Sequence, residues 1–107
     1  MPPAVFYVLF ALADGDKHGY AIMQATLKLS DGAFRMGPAT LYTNIHRLLE
    51  TGCIREVTGP EAADAEPRRR YYRLARSGKK ALEEELQRMR KVLRRAQNLS
   101  LAVKISS

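Results

Sequence analysis

Residues 37–52 read GPATLYTNIHRLLETG, and the fold turns on what this stretch becomes. Proline is tolerated in a helix's first turn and glycine is favoured just past its end. Pro38 and Gly52 therefore bracket one helix. Leu41, Ile45, Leu48 and Leu49 recur at helical spacing and form an apolar stripe. The opposite stripe is Thr40, Thr43, Asn44 and Arg47. Short hydrogen-bonding side chains with one Arg suit base edges and phosphates. Gly37, Pro38 and Ala39 keep the start of the helix slim, so its backbone N–H groups can approach a phosphate. Tyr42 lies on the flank, placed for the sugar-phosphate backbone. An ordinary solvated helix face is the competing explanation of the same residues.

Upstream, MPPAVFYVLFALADGD predicts a first helix from about Pro3 to Ala13, with Val5, Phe6, Leu9 and Leu12 on a broad apolar face. It is too short for a membrane span, and no basic segment precedes it as in a signal peptide. A second helix follows KHG and stops at SDG, residues 30–32. Downstream, CIREVTG reads as a short strand, residues 60–67 as a loop between two prolines, and RRRYYRL as the returning strand.

Arg68, Arg69, Arg70 and Arg73 interleave with Tyr71 and Tyr72. Strand alternation sends Arg69, Tyr71 and Arg73 one way and Arg70, Tyr72 and Leu74 the other. The cluster is expected to hold phosphates, with Arg stems covering Tyr rings as the alternative. The loop carries Glu61, Asp64 and Glu66, so its tip is expected to point away from a polyanion.

From Ser77 to about Val103 the spacing predicts one long helix. Leu82, Leu86, Met89, Leu93 and Ala96 make a heptad seam. A single small domain cannot cover so long a seam, but a second copy can. The expected fold is mainly α with a small β-hairpin: a winged helix-turn-helix over residues 1–75, with a C-terminal dimerisation helix over 76–107.

Composition agrees with that organisation. The 107 residues carry a net charge of +7. Residues 1–53 hold four Lys/Arg and four Asp/Glu, so the whole excess lies in residues 54–107. That asymmetry points to a polyanionic partner. One cysteine, Cys53, excludes an internal disulfide and reads as a small buried hydrophobe. His18 and His46 have no ligand partners at metal spacing, and no nucleophile stands beside a base. Neither enzyme, metal nor cofactor is expected, and the location is read as cytoplasmic. A membrane-surface helix is disfavoured, because the seam has no aromatic anchor.

Four pieces together resemble the PadR-like family of transcriptional regulators: HGY (18–20), GPATLY (37–42), RLLETGCI (47–54) and RRRYYRLARSG (68–78). The resemblance runs along almost the whole chain and looks like the subgroup with a short C-terminal part. It implies a winged helix, operator binding as a repressor, and a homodimer built through the N- and C-terminal helices. The interface residues expected are Val5, Phe6, Leu9, Leu82, Leu86, Met89, Leu93 and Ala96. It implies contact with double-stranded DNA around Thr40, Tyr42, Thr43 and Asn44 and at Arg68 to Arg70. Tyr20 has two readings, backbone phosphate contact or core packing.

Two positions depart from the family's usual residues. Ala75 replaces a capping Thr, so the last helix is expected to fray at Arg76 or take its cap from Ser77. Cys53 replaces Leu. Some family members answer to small molecules near the dimer interface, yet residues 75–107 contain no Phe, Tyr or Trp, which argues against a flat aromatic effector. The alternative function is a winged-helix module that binds a protein and not DNA.

Overall fold

The structure, a computed structural model, describes residues 1–58 and 69–103. The loop expected at 60–67 and Arg68 lie outside the described residues. Seven elements follow in order: α1 (Pro3–Ala11), β1 (Lys17–His18), α2 (Gly19–Leu29), α3 (Pro38–Glu50), β2 (Ile54–Val57), β3 (Tyr71–Leu74) and α4 (Arg76–Asn98).

α1 is the hub. Phe6, Val8, Leu9 and Ala11 are buried, and the helix touches α2, α3 and α4. It stops two residues short of the expected end. The Lys17 ammonium donates to the Ala11 carbonyl at 2.7 Å and also engages Asp14, which satisfies a helix-end acceptor that another turn would have used.

α2 buries Ile22 and Thr26. The Thr26 hydroxyl donates to the Met23 carbonyl at 2.8 Å, so its burial leaves no unpaired donor. The helix closes with Asp31 in the left-handed region (φ 52°). The Asp31 N–H reaches the Lys28 carbonyl and the Gly32 N–H that of Leu27, a Schellman closure.

α3 places Leu41, Ile45 and Leu48 in the core. Each such side chain contributes on the order of 1.5–3 kcal/mol by leaving water. The end is again a Schellman motif. Gly52 has φ 77°, its N–H bonds the Leu49 carbonyl, and the Cys53 N–H bonds that of Leu48. That tight exit aims β2 back across the molecule.

The sheet is antiparallel with order β1-β3-β2. The hairpin β2–β3 pairs Ile54 with Leu74 and Val57 with Tyr71. β1, which the sequence did not suggest, joins the other side of β3 and pairs Lys17 with Tyr72 and His18 with Tyr71. The expected two-stranded hairpin is therefore the larger part of a three-stranded sheet.

α4 begins at Arg76 behind an uncapped Ala75. Ser77 does not supply the cap. Its hydroxyl donates to the Gly52 carbonyl at 2.9 Å, while the Ala75 N–H bonds the Cys53 carbonyl at 3.0 Å. Both bonds tie the first turn to the exit of α3. The helix ends at Asn98 and not near Val103. Ser100 turns left-handed (φ 61°), its N–H reaches the Gln97 carbonyl, and the Leu101 N–H reaches that of Ala96. The boundary expected at residue 75 coincides with the start of α4. Even so, Leu82 and Glu85 are buried, so the first turns belong to the globular core.

Candidate nucleic-acid interface

Core burial of Leu41, Ile45 and Leu48 forces the rest of α3 outward. Thr40, Thr43 and Arg47 are exposed, as are Gly37, Pro38 and Ala39 at the helix start. Asn44 is half-buried, and its Nδ2 donates to the Thr40 carbonyl at 2.8 Å. In this state its amide closes on its own helix, so Thr40, Thr43 and Arg47 are the more open part of the stripe. His46 and Glu50 pair along the same surface, at 2.9 Å.

Beside α3 lies a cleft of about 450 Å³ bordered by His18, Tyr20, Tyr42, Arg69, Arg70 and Tyr72. Three parts of the chain build it: the start of α2, the flank of α3 and the base of the wing. Tyr20 is 61% exposed and Tyr42 51%, so Tyr20 is not packed in the core. Gly19 lets the two tyrosines meet. A Cβ there would overlap the Tyr42 hydroxyl and sit 3.0 Å from its Cζ.

His18 stands at the head of α2. Its Nδ1 accepts from the Ala21 N–H at 3.2 Å, and its Nε2 lies 2.7 Å from Arg69 Nη1. Its ring meets the edge of Tyr71 at 5.4 Å. Arg70 is largely exposed and only distantly paired, with Glu56 Oε1 at 3.9 Å. Tyr72 is buried, and burial followed by the nearby Glu56 charge holds its phenol above the usual range.

Arg73 departs from the expected phosphate role. Its Nε and Nη2 donate to the two Asp16 oxygens at 2.9 and 2.7 Å. This forked pair joins β3 to the β1 approach. The Arg73 hydrogen bonds, helped by the charges of Arg73, Arg55 and Lys17, hold the Asp16 carboxyl below its ordinary pKa against a partial desolvation. No local pattern announces the partner, which is 57 residues away. Arg55 was also missed; it is exposed and faces Arg73 in the β2–β3 register.

The sequence pattern of the transcriptional regulator PadR-like family matches residues 8–84. The chain belongs to the PadR-like family. It is 32% identical over 88 residues to the transcriptional regulator Rv3488 of Mycobacterium tuberculosis, covering 82% of this chain and 77% of that protein. The structure of a transcriptional regulator from Clostridium thermocellum is similar with a TM-score of 0.71 and 27% identity, over 94% of this chain and 90% of the other. Bacillus subtilis PadR, solved in complex with operator DNA, shares the fold at TM-score 0.64 and 22% identity, over 77% of this chain and 45% of that one.

In this PadR-like chain the expected dimer residues divide into two groups. Phe6, Leu9 and Leu82 are enclosed by the protomer's own core, so they are supports beneath a surface and not contacts on it. Leu86 and Leu93 are 38% and 39% exposed, Val5, Met89 and Ala96 are half-buried, and Val92 adds an exposed apolar side chain outside the expected seam. Glu85 is buried beside them, bonded to Arg88 and to the amino group of Met1 at 3.2 Å. Those two bonds, Arg88 first, hold its carboxyl below the ordinary range. Among the described residues no group of three His, Cys, Asp or Glu is placed to hold a metal ion, and no helix is long and apolar enough to cross a membrane.

Proposed function

We propose that this PadR-like regulator is a cytoplasmic homodimer that binds a near-palindromic operator in double-stranded DNA and represses transcription. One observation carries the reading. The open Thr40, Thr43 and Arg47 stripe of α3 adjoins a cleft with two arginines and two exposed tyrosines. A helix in the major groove would bring Thr40, Thr43 and Arg47 to base edges. Tyr20, Tyr42, Arg69 and Arg70 would then lie along the adjoining phosphates. That B. subtilis PadR, which shares the fold, was solved with operator DNA supports DNA as the partner.

Dimerisation follows from α4. Leu86, Val92 and Leu93 leave apolar surface uncovered, and Arg90, Lys91, Arg94 and Arg95 flank it. A second α4 covers such a stripe and leaves the cations in water. The two-fold axis would set two α3 helices about 34 Å apart, one turn of DNA.

The test is fluorescence anisotropy on a duplex from the promoter of the protein's own gene. Arg47→Ala is expected to relax base preference. Arg69→Ala is expected to weaken all sequences alike and to flatten the salt dependence by about 0.9 for each phosphate it no longer neutralises. If both variants bind like the wild type, the roles assigned to α3 and the wing base are wrong.

A further inference from the structure

The His18 ring is engaged on both nitrogens. Nδ1 meets the Ala21 N–H at 3.2 Å and Nε2 meets Arg69 Nη1 at 2.7 Å. A neutral imidazole has one acceptor and one donor nitrogen, and a guanidinium has donors alone. If Nδ1 accepts from Ala21, Nε2 carries the hydrogen and points it at the Arg69 N–H. If Nε2 accepts from Arg69, Nδ1 carries the hydrogen and points it at the Ala21 N–H. In either tautomer one of the two contacts sets donor against donor. Protonation removes the last acceptor and makes both contacts unfavourable.

The first tautomer leaves two N–H groups converging at the edge of the cleft that Arg70, Tyr20 and Tyr42 also border. An anionic oxygen placed there accepts from both, and turns an unfavourable contact into two hydrogen bonds, the one from Arg69 charge-assisted. We propose that His18 and Arg69 together clasp one phosphodiester of the DNA backbone in each half-site, with Nε2–H and the guanidinium as the two donors. This rests on the DNA-binding reading and adds a residue to it. His18 then has two duties on two nitrogens: Nδ1 caps α2 and Nε2 holds phosphate. The ring's edge contact with Tyr71, at 5.4 Å and 87°, fixes its plane between them.

The two duties separate by substitution. Asn and Asp are both better helix caps than His, so His18→Asn and His18→Asp keep or raise the thermal midpoint. Asn is too short to reach the phosphate, and Asp presents a carboxylate where the phosphate belongs. On the promoter duplex, His18→Asn is expected to bind about fivefold to tenfold more weakly per protomer with an unchanged salt slope, because a neutral donor is removed. His18→Asp is expected to lose at least about fiftyfold. Arg69→Gln lowers the salt slope, and adding His18→Asn to it weakens binding by less than His18→Asn does alone, since both donors serve one phosphate. Equal binding by wild type, His18→Asn and His18→Asp would show that His18 only caps α2 and would overturn the proposal. Additive losses in the double variant would overturn the shared phosphate. Failure of the wild type to bind any duplex would instead remove the DNA-binding reading, and this inference with it.

Discussion

Gly78 sits in the first turn of α4, where the helix crosses the exit of α3. A Cβ at this position would lie 2.9 Å from the Cys53 carbonyl carbon and from Leu74 Cδ1, and nearer still to the Cys53 oxygen. Carbon atoms rest about 3.5–4.0 Å apart, so α4 would have to withdraw by about 1 Å. The carbonyl has little freedom to yield. It accepts from the Ala75 N–H at 3.0 Å, and the Cys53 N–H is held by the Leu48 carbonyl. Two effects of Gly78→Ala therefore oppose each other. Ala in place of Gly favours a helix by about 0.8–1.0 kcal/mol. Overpacking against fixed backbone costs about 1–3 kcal/mol or more. The overlap with main chain places this site at the upper end of that range, for a net loss of about 2 kcal/mol. Urea unfolding at fixed protein concentration reads it, as a lower midpoint with an unchanged slope. Hydrogen exchange at the Ala75 amide should quicken in parallel. A variant as stable as the wild type, or more so, would mean that propensity alone governs the turn and that α4 does not press on Cys53 as described.

Asp16 and Arg73 supply a pH dependence. The folded Asp16 carboxyl is held below its ordinary value by the Arg73 hydrogen bonds, so its contribution is complete above the unfolded pKa. It is lost as acid titrates through the lower folded pKa. Side chains 21% and 34% exposed limit the pair to about 1 kcal/mol. Asp16→Asn should lower stability by that amount at pH 7 and make stability less sensitive to acid below about pH 4, which thermal melts across pH measure. Gly19→Ala should push the Tyr42 ring aside, since the new methyl would overlap its hydroxyl. Because the end of an exposed side chain can swing away, stability should change by less than about 1 kcal/mol, while DNA affinity falls in an anisotropy titration. Leu86→Asp with Leu93→Asp places charges on the exposed stripe of α4 and should shift the dimer toward monomer by at least about tenfold in dissociation constant, read by analytical ultracentrifugation.

α3 was legible almost to the residue because Pro38 and Gly52 mark both ends chemically, and its apolar stripe became the buried face. α4 was overextended because its stop signal is Ser100 in a left-handed conformation, a position where glycine is the residue that would have announced itself. β1 spans two residues, too few for any alternation to register. The candidate surface was legible where it depends on one helix face, and obscure where it depends on the assembled fold. Arg73 reads as a phosphate ligand until β1 carries Asp16 to it. His18 is an unusual helix cap, and its approach to Arg69 follows only from the pairing of β1 with β3. Phe6, Leu9 and Leu82 match an interface pattern as well as a core pattern, and only the packing of α1 against α4 separates the two.

Sedimentation of the wild-type protein with its promoter duplex, over a series of salt concentrations, bears most directly on the central claim. Two protomers per site, with affinity falling steeply as salt rises, is the predicted result. A protein that sediments apart from every duplex at low salt, or joins it with an affinity indifferent to salt, contradicts the account.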